Sequence, residues 1–202
     1  MVNKNVRKAH NPDFNKFRDL MRLDLESKFG KENIPIFWGN QCAKIVQISQ
    51  APSFNAVKNK KPFTDASGKK LREKWYNLSE KDFYNKNLFY FTALGQYYPG
   101  KNTNGTDKRP SISIAKKWLL SELQYLTPKL YLILGAQASN FFFPNKNFSE
   151  LVFKDLKINN IKAYVLPHPS PLNVSWFKKN PQFETAQIQK IKKNINKIIS
   201  EI

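Results

Sequence analysis

The sequence predicts an α/β protein, a three-layer α/β/α sandwich around a central, mainly parallel four-stranded sheet. Three observations predict it. Short apolar runs recur at residues 43–48, 88–94, 129–134 and 161–166, as expected of strands buried on both faces. Longer segments with helical apolar spacing lie between them, so successive strands are joined by crossovers and run parallel. Each run ends in glycine, serine or proline, which interrupts the ladder.

At 202 residues the chain is long enough for one sizeable core, and the expected organisation is a single domain over 1–202 with a frayed basic arm at 1–10. Asn11-Pro12-Asp13 starts a helix, with Pro12 early and Asp13 near its positive end. Phe14, Phe17, Leu20, Met21, Leu23 and Leu25 follow a helical stripe to about Lys28, and Phe29-Gly30 ends it. Residues 35–39 form an apolar connector. The first strand, 43–48, breaks into a loop of small residues, 49–55. Ser67 is placed to cap a helix holding Leu71 and Trp75, and Ser79 a short helix reaching Asn85.

The second strand, 88–94, opens into a polar, basic loop from Gly95 to Arg109, and loops of that length in compact domains are usually functional or disordered. Pro110 and Ser111 begin an amphipathic helix through Ile114, Trp118, Leu119, Leu123 and Leu126, which Pro128 stops. The third strand ends at Gly135, and a short helix follows at 136–143. Residues 148–155 read as helix or loop. After the fourth strand, Pro181 begins a long basic helix with Ile188, Ile191, Ile195, Ile198 and Ile199 as its apolar stripe.

Composition narrows the classes. Hydrophobic content of 41% and aromatic content of 14% fit a globular protein. Lys and Arg number 34 against 15 Asp and Glu, a net charge of +19, which points to a polyanion partner, nucleic acid ahead of an anionic membrane. A general lysine bias of the source genome is the competing explanation. Aromatic residues beside basic ones favour nucleic acid. The one cysteine, Cys42, excludes an internal disulfide and any four-cysteine metal or iron–sulfur site. A cytoplasmic setting fits. The first fifteen residues hold no apolar signal core, and no window approaches 18 uninterrupted apolar residues, so no membrane span is expected.

The chemical centre is expected in Pro167-His168-Pro169-Ser170-Pro171-Leu172-Asn173. Proline fixes φ and removes donors, so this is a stiff loop leaving the carboxyl end of a strand, where open α/β sheets bind ligands. The chain has two histidines, and the other, His10, lies in the polar N-terminal stretch. In a parallel sheet three strand ends converge: 49–55, 92–109 and 167–173. The segment 62–68 lines the same crevice.

These motifs resemble the uracil-DNA glycosylase superfamily. His168-Pro169-Ser170-Pro171-Leu172-Asn173 is similar to its second motif, His-Pro-Ser-Pro followed by an inserting leucine. Gln50-Ala51-Pro52-Ser53 stands where that superfamily has a Gly-x-x-Pro-Gly-like turn, and Pro62-Phe63-Thr64-Asp65-Ala66-Ser67-Gly68 resembles the Gly-Arg-Pro-Phe-like segment of one branch. Arg109-Pro110 and the stretch 128–135 also fit that branch, and the likeness runs from about Ala43 to Trp176.

The resemblance implies a DNA glycosylase that flips a deaminated or damaged base, uracil foremost, and breaks its N-glycosidic bond in base excision repair. It implies an enzyme that needs no cofactor or metal, with DNA as partner and a monomer as the expected state; the cysteines that hold an iron–sulfur cluster in the most similar branch are missing here, so no cluster is expected. His168 would stabilise charge on the departing base; the alternative is a histidine satisfying a loop backbone. Leu172 would fill the gap left in the duplex, or simply pack. Phe63 would stack on the base, with Phe54 as the alternative and core packing as the rival role.

Ala51, Pro52 and Ser53 would complete the base pocket. Ser170, Asn173, Lys101, Lys108 and Arg109 would meet the DNA backbone, with Tyr97 and Tyr98 in the same loop. The chain departs from the family pattern at the first motif. Relatives carry an acidic or amide residue there to handle water, whereas this chain has Gln50 and Ala51. Gln50 can orient water but not take its proton, so Asp65 is the candidate base, against a role as a turn or helix cap. The second-strand position where relatives often hold an asparagine to read uracil falls near Ala93. A non-cutting DNA reader, and a small-molecule hydrolase or transferase in the same crevice, are the other readings.

Overall fold

The computed structural model describes residues 12–170 and 173–202; the expected N-terminal arm and Leu172 lie outside them. Five strands form one sheet in the order β2-β1-β3-β5-β4: β1 (Ile45–Ser49), β2 (Phe89–Ala93), β3 (Leu130–Leu134), β4 (Leu156–Ile158) and β5 (Ile161–Leu166). The pairs β1–β2, β1–β3 and β3–β5 are parallel, and β4–β5 is antiparallel. The expected four strands are all present. The fifth, β4, escapes periodicity because it is a three-residue edge strand, turning into β5 through Asn159 and Asn160, both at positive φ.

Alternation along β2 sets the two faces. Phe89 and Phe91 face Tyr76 and Phe83, while Tyr90 and Thr92 face Glu122. The helices on the Tyr90 side are α1 (Pro12–Phe29) and, beyond a π-helical stretch at Ala115–Leu119, α6 (Leu120–Tyr125). Phe14 of α1 packs on Tyr90 and Tyr125. The α1 stripe is narrower than its apolar residues suggest: Phe14, Met21 and Leu25 are buried, whereas Leu20 and Leu23 are exposed.

On the other face, α3 (Ala66–Lys69) runs into a π-helical stretch, Lys70–Tyr76, followed by α4 (Glu80–Phe83). The C-terminal helix α10 (Ile188–Ile199) buries Ile188, Ile191, Ile195 and Ile198, each stabilising the fold by about 1.5–3 kcal/mol.

The remaining helices are short: α2 (Phe54–Lys58), α5 (Ile112–Ile114), α7 (Ala136–Phe142), α8 (Phe148–Phe153) and α9 (Val174–Lys179). Residues 148–153 thus resolve as helix. Two helices were not expected. Ser53 caps α2 by accepting from the Ala56 N–H, within what reads as a loop of small residues, and α9 follows Asn173. Ser79 caps α4 as expected, but Asp65 rather than Ser67 caps α3, because Asp65 Oδ1 reaches the Gly68 N–H at 3.0 Å. No helix among the described residues is long and apolar enough to cross a membrane.

Candidate active site

Strand β1 sits between β2 and β3, so the chain leaves β1 toward one side and later returns to the other. That reversal opens a crevice at the carboxyl ends of the strands. A cavity of about 380 Å³ occupies it, the size of a small-molecule site. Its lining comes from the end of β1 (Ser49 to Ser53), the end of β2 (Phe91, Thr92, Ala93, Gln96), Leu134 and His168. Phe37, Trp38, Phe63 and Phe91 give it aromatic walls.

His168 leaves the end of β5. Its Nδ1 accepts a hydrogen bond from the Ser170 N–H at 3.2 Å, and Asn173 Nδ2 donates to its carbonyl at 3.2 Å. An Nδ1 that accepts carries no proton, so in the neutral ring the proton sits on Nε2 as a donor. His168 is exposed, yet desolvation by the surrounding protein lowers its pKa below the ordinary 6.5, against the attraction of Asp65 and Asp107. Of the two residues expected on the DNA backbone, Ser170 braces the ring through its backbone N–H and Asn173 braces the His168 main chain.

Phe63 borders the cavity in a left-handed conformation, φ 54°. For a bulky residue this costs about 1–3 kcal/mol and is sustained only by its surroundings. Tyr84 Oη donates to the carbonyls of Pro62 and Phe63, both at 3.0 Å, and the ring packs on Phe91 at 5.3 Å. Core packing and cavity lining coexist in this residue. Gly68 lets the turn form: a Cβ there would meet the Phe63 carbonyl oxygen at 1.8 Å. Gly68→Ala is therefore expected to destabilise by about 1–3 kcal/mol despite its better helix propensity, seen as a melting temperature roughly 3–10 °C lower.

Asp65 lines the cavity and caps α3 through one carboxylate oxygen. Gln50, Ala51, Pro52 and Ser53 all line it, and Gln50 Nε2 donates to the Lys108 carbonyl at 3.5 Å. Phe54 does not: it is 56% exposed and its ring leans on Tyr98 instead, because Ser53 starts a helix that turns it outward. Lys101, Lys108 and Arg109 are exposed on the 95–111 loop and outside the lining. That loop is ordered by Lys108 N–H to the Gly100 carbonyl at 2.9 Å and by pairing of Lys101 with Asp107. Tyr97 is no DNA contact. It is buried, stacked on Phe29 at 3.6 Å, with its hydroxyl accepting from the Ser111 N–H.

Sequence reasoning missed three polar residues of the wall. Asp107 is the acid of an otherwise basic loop. Glu122 is 1% exposed and accepts from Tyr90 Oη at 2.6 Å, Thr92 Oγ1 at 2.6 Å and Gln96 Nε2 at 3.2 Å. Burial raises its pKa, against those three donors and the Arg18 guanidinium. The signal was present: Ala115, Leu119, Glu122 and Leu126 share one apolar stripe, and a glutamate on such a stripe is buried with partners. Gln96, 3% exposed, is the third.

A second cleft lies beside the His168 loop. Lys69, Lys70, Lys74 and Lys192 line it together with Pro169, with Glu73 and Glu184 among them.

A mainly parallel sheet with an aromatic-walled cavity at its reversal point, bordered by a strand-end histidine, defines an α/β protein with a small-molecule-sized pocket at the carboxyl edge of its sheet. The model of the uracil DNA glycosylase superfamily matches residues 37–192, and the chain belongs to that superfamily. The match covers all five strands and the whole cavity wall except Pro35 and Ile36.

Proposed function

We propose that this protein is a DNA glycosylase that flips a deaminated or damaged base, uracil foremost, into the cavity and hydrolyses its N-glycosidic bond in base excision repair. One observation carries the reading: His168 faces an aromatic-walled cavity with its Nε2 proton available as a neutral donor. Such a donor favours negative charge on a base carbonyl more in the transition state than in the substrate. The bond from C1′ to the base nitrogen breaks, its electron pair leaving with the base. Water, held by Asp65 and Gln50, forms the new bond to C1′ and gives its proton to Asp65.

Phe63 stacks on the base, and Ala51, Pro52 and Ser53 close the pocket around it. Leu172 is assigned its wedge role by the resemblance alone. Ser170, Asn173, Lys101, Lys108 and Arg109 meet the backbone, and the protein acts in the cytoplasm as a monomeric single domain without a cofactor.

The lysine-lined cleft next to Pro169 supports DNA as partner, because it concentrates charge beside the site. DNA affinity is expected to fall steeply with salt. Lys74→Ala with Lys192→Ala should flatten the log–log salt slope by about one to two. A slope unchanged in titrations from 50 to 200 mM salt would remove this cleft from the interface.

The deciding assay is base release from single- and double-stranded oligonucleotides carrying uracil, hypoxanthine or xanthine, scored by alkaline cleavage. Release from any of them supports the glycosylase. Gln50 and Ala51, where relatives carry a water-handling residue, favour a second reading, a DNA-binding relative that does not cut. Salt-sensitive binding with no release from any substrate would establish that reading instead.

A further inference from the structure

Two aromatic side chains beside the cavity take no part in the proposed hydrolysis. Ser53 and Pro99 belong to the cavity wall, and Phe54 and Tyr98 are their neighbours in the chain. Consecutive Cα atoms lie about 3.8 Å apart, so both rings start one residue from the wall. Phe54 is 56% exposed and Tyr98 half-buried. Their ring centroids are 5.8 Å apart and the rings are tilted by 57°, which makes an open corner rather than a closed stack. The corner is fixed from behind. Ser53 caps α2 and so turns Phe54 outward, and the Tyr98 N–H donates to the Asn33 carbonyl at 2.8 Å. Ile36, 43% exposed, adds an apolar edge on the wall itself. Exposed apolar groups gathered among polar ones mark contact surfaces.

Charge says what the contact is. Lys58 stands four residues after Phe54, on the same face of α2, and is exposed. Asp107 lines the cavity, with exposed Lys108 next to it in the chain and exposed Lys101 paired to it across the loop. Aromatic faces among cations fit a nucleic-acid strand, whose bases offer π-faces and whose phosphates offer negative charge. A duplex does not fit as well. The neighbours of a flipped base stay paired and stacked there, with both faces covered, whereas a single strand leaves them free to lie on Phe54.

We propose that Phe54 and Tyr98 form a second base subsite outside the cavity, on which the unpaired nucleotide next to the extruded one stacks, and that this subsite makes single-stranded DNA the preferred substrate. The proposal rests on the reading that the cavity takes a base from DNA. The cavity encloses one base, while the open corner meets only the face of the next and accepts any sequence.

The test is fluorescence anisotropy of the full chain with a short labelled oligothymidylate, free and annealed to its complement, neither of which carries an excisable base. Wild type should bind the single strand at least about fivefold more tightly than the duplex. Phe54→Ala should weaken single-strand binding by about 5- to 100-fold, the range for one lost base stack, and change duplex binding by less than about twofold. Phe54→Trp, which keeps a π-face, should hold the wild-type preference. Because no charge is removed, the log–log salt slope should be the same in the alanine variant as in wild type.

Equal affinity for the two forms in wild type, equal losses on both in Phe54→Ala, or no loss at all would overturn the proposal; the last would leave the corner to a protein partner. Base release is scored separately on uracil-bearing strands. A single-strand preference that depends on Phe54, without release, would sink the hydrolytic reading and leave the subsite standing. Release without strand preference would keep the glycosylase and remove the subsite.

Discussion

Replacing His168 with alanine is expected to lower kcat for base release by about 10²–10³-fold with little change in KM, the loss typical of removing one donor aimed at developing charge. The ring touches the fold through the Ser170 N–H at 3.2 Å, an exposed contact, so thermal melting should barely move. Acidification tests the same group. The working form is neutral, with Nδ1 accepting and Nε2 donating, and protonation of Nδ1 would turn the Ser170 N–H contact into a clash of donors.

Because its surroundings pull the His168 pKa below 6.5, the rate should hold through neutral pH and fall only below that value. The sign for stability agrees. A folded pKa below the unfolded 6.5 means that the unfolded chain binds the proton more readily. The contribution of His168 is thus complete above pH 6.5 and is lost as pH falls from there through the folded value. A pH–rate profile rising toward acid would reverse the assigned protonation state.

Asp65→Asn is expected to reduce release by about 10²-fold or more through loss of the proton acceptor. Asparagine caps helices as well as aspartate does, so the bond from the Gly68 N–H survives and the variant should melt near wild type. That separates chemistry from capping, the two roles that the geometry allows this side chain. A rate unchanged in single-turnover assays would pass the water to Gln50 or to Asp107, which also lines the cavity.

Much of this was legible in the chain. The four longer strands announce themselves because residues buried on both faces must be continuously apolar. The Pro167-to-Asn173 run points to a strand-end site because prolines end a ladder by removing its donors. Gln50 to Ser53, Phe63, Asp65 and His168 do meet at one cavity. Local rules failed where two neighbouring caps competed, as at Asp65 and Ser67, and where a helix of five residues hid among small residues at 54–58.

What the sequence alone determined is the layer order and the strand ends, since both follow from local periodicity and from residues that forbid continuation. What only the tertiary structure decided is the inner wall. Tyr90 and Thr92 of β2, Gln96 of the loop after it and Glu122 of α6 lie up to 32 positions apart, and nothing local says that they share a face. Burial makes the carboxylate gather every donor within reach and leaves one amide oxygen unmet, and that outcome depends on how α6 packs across β2.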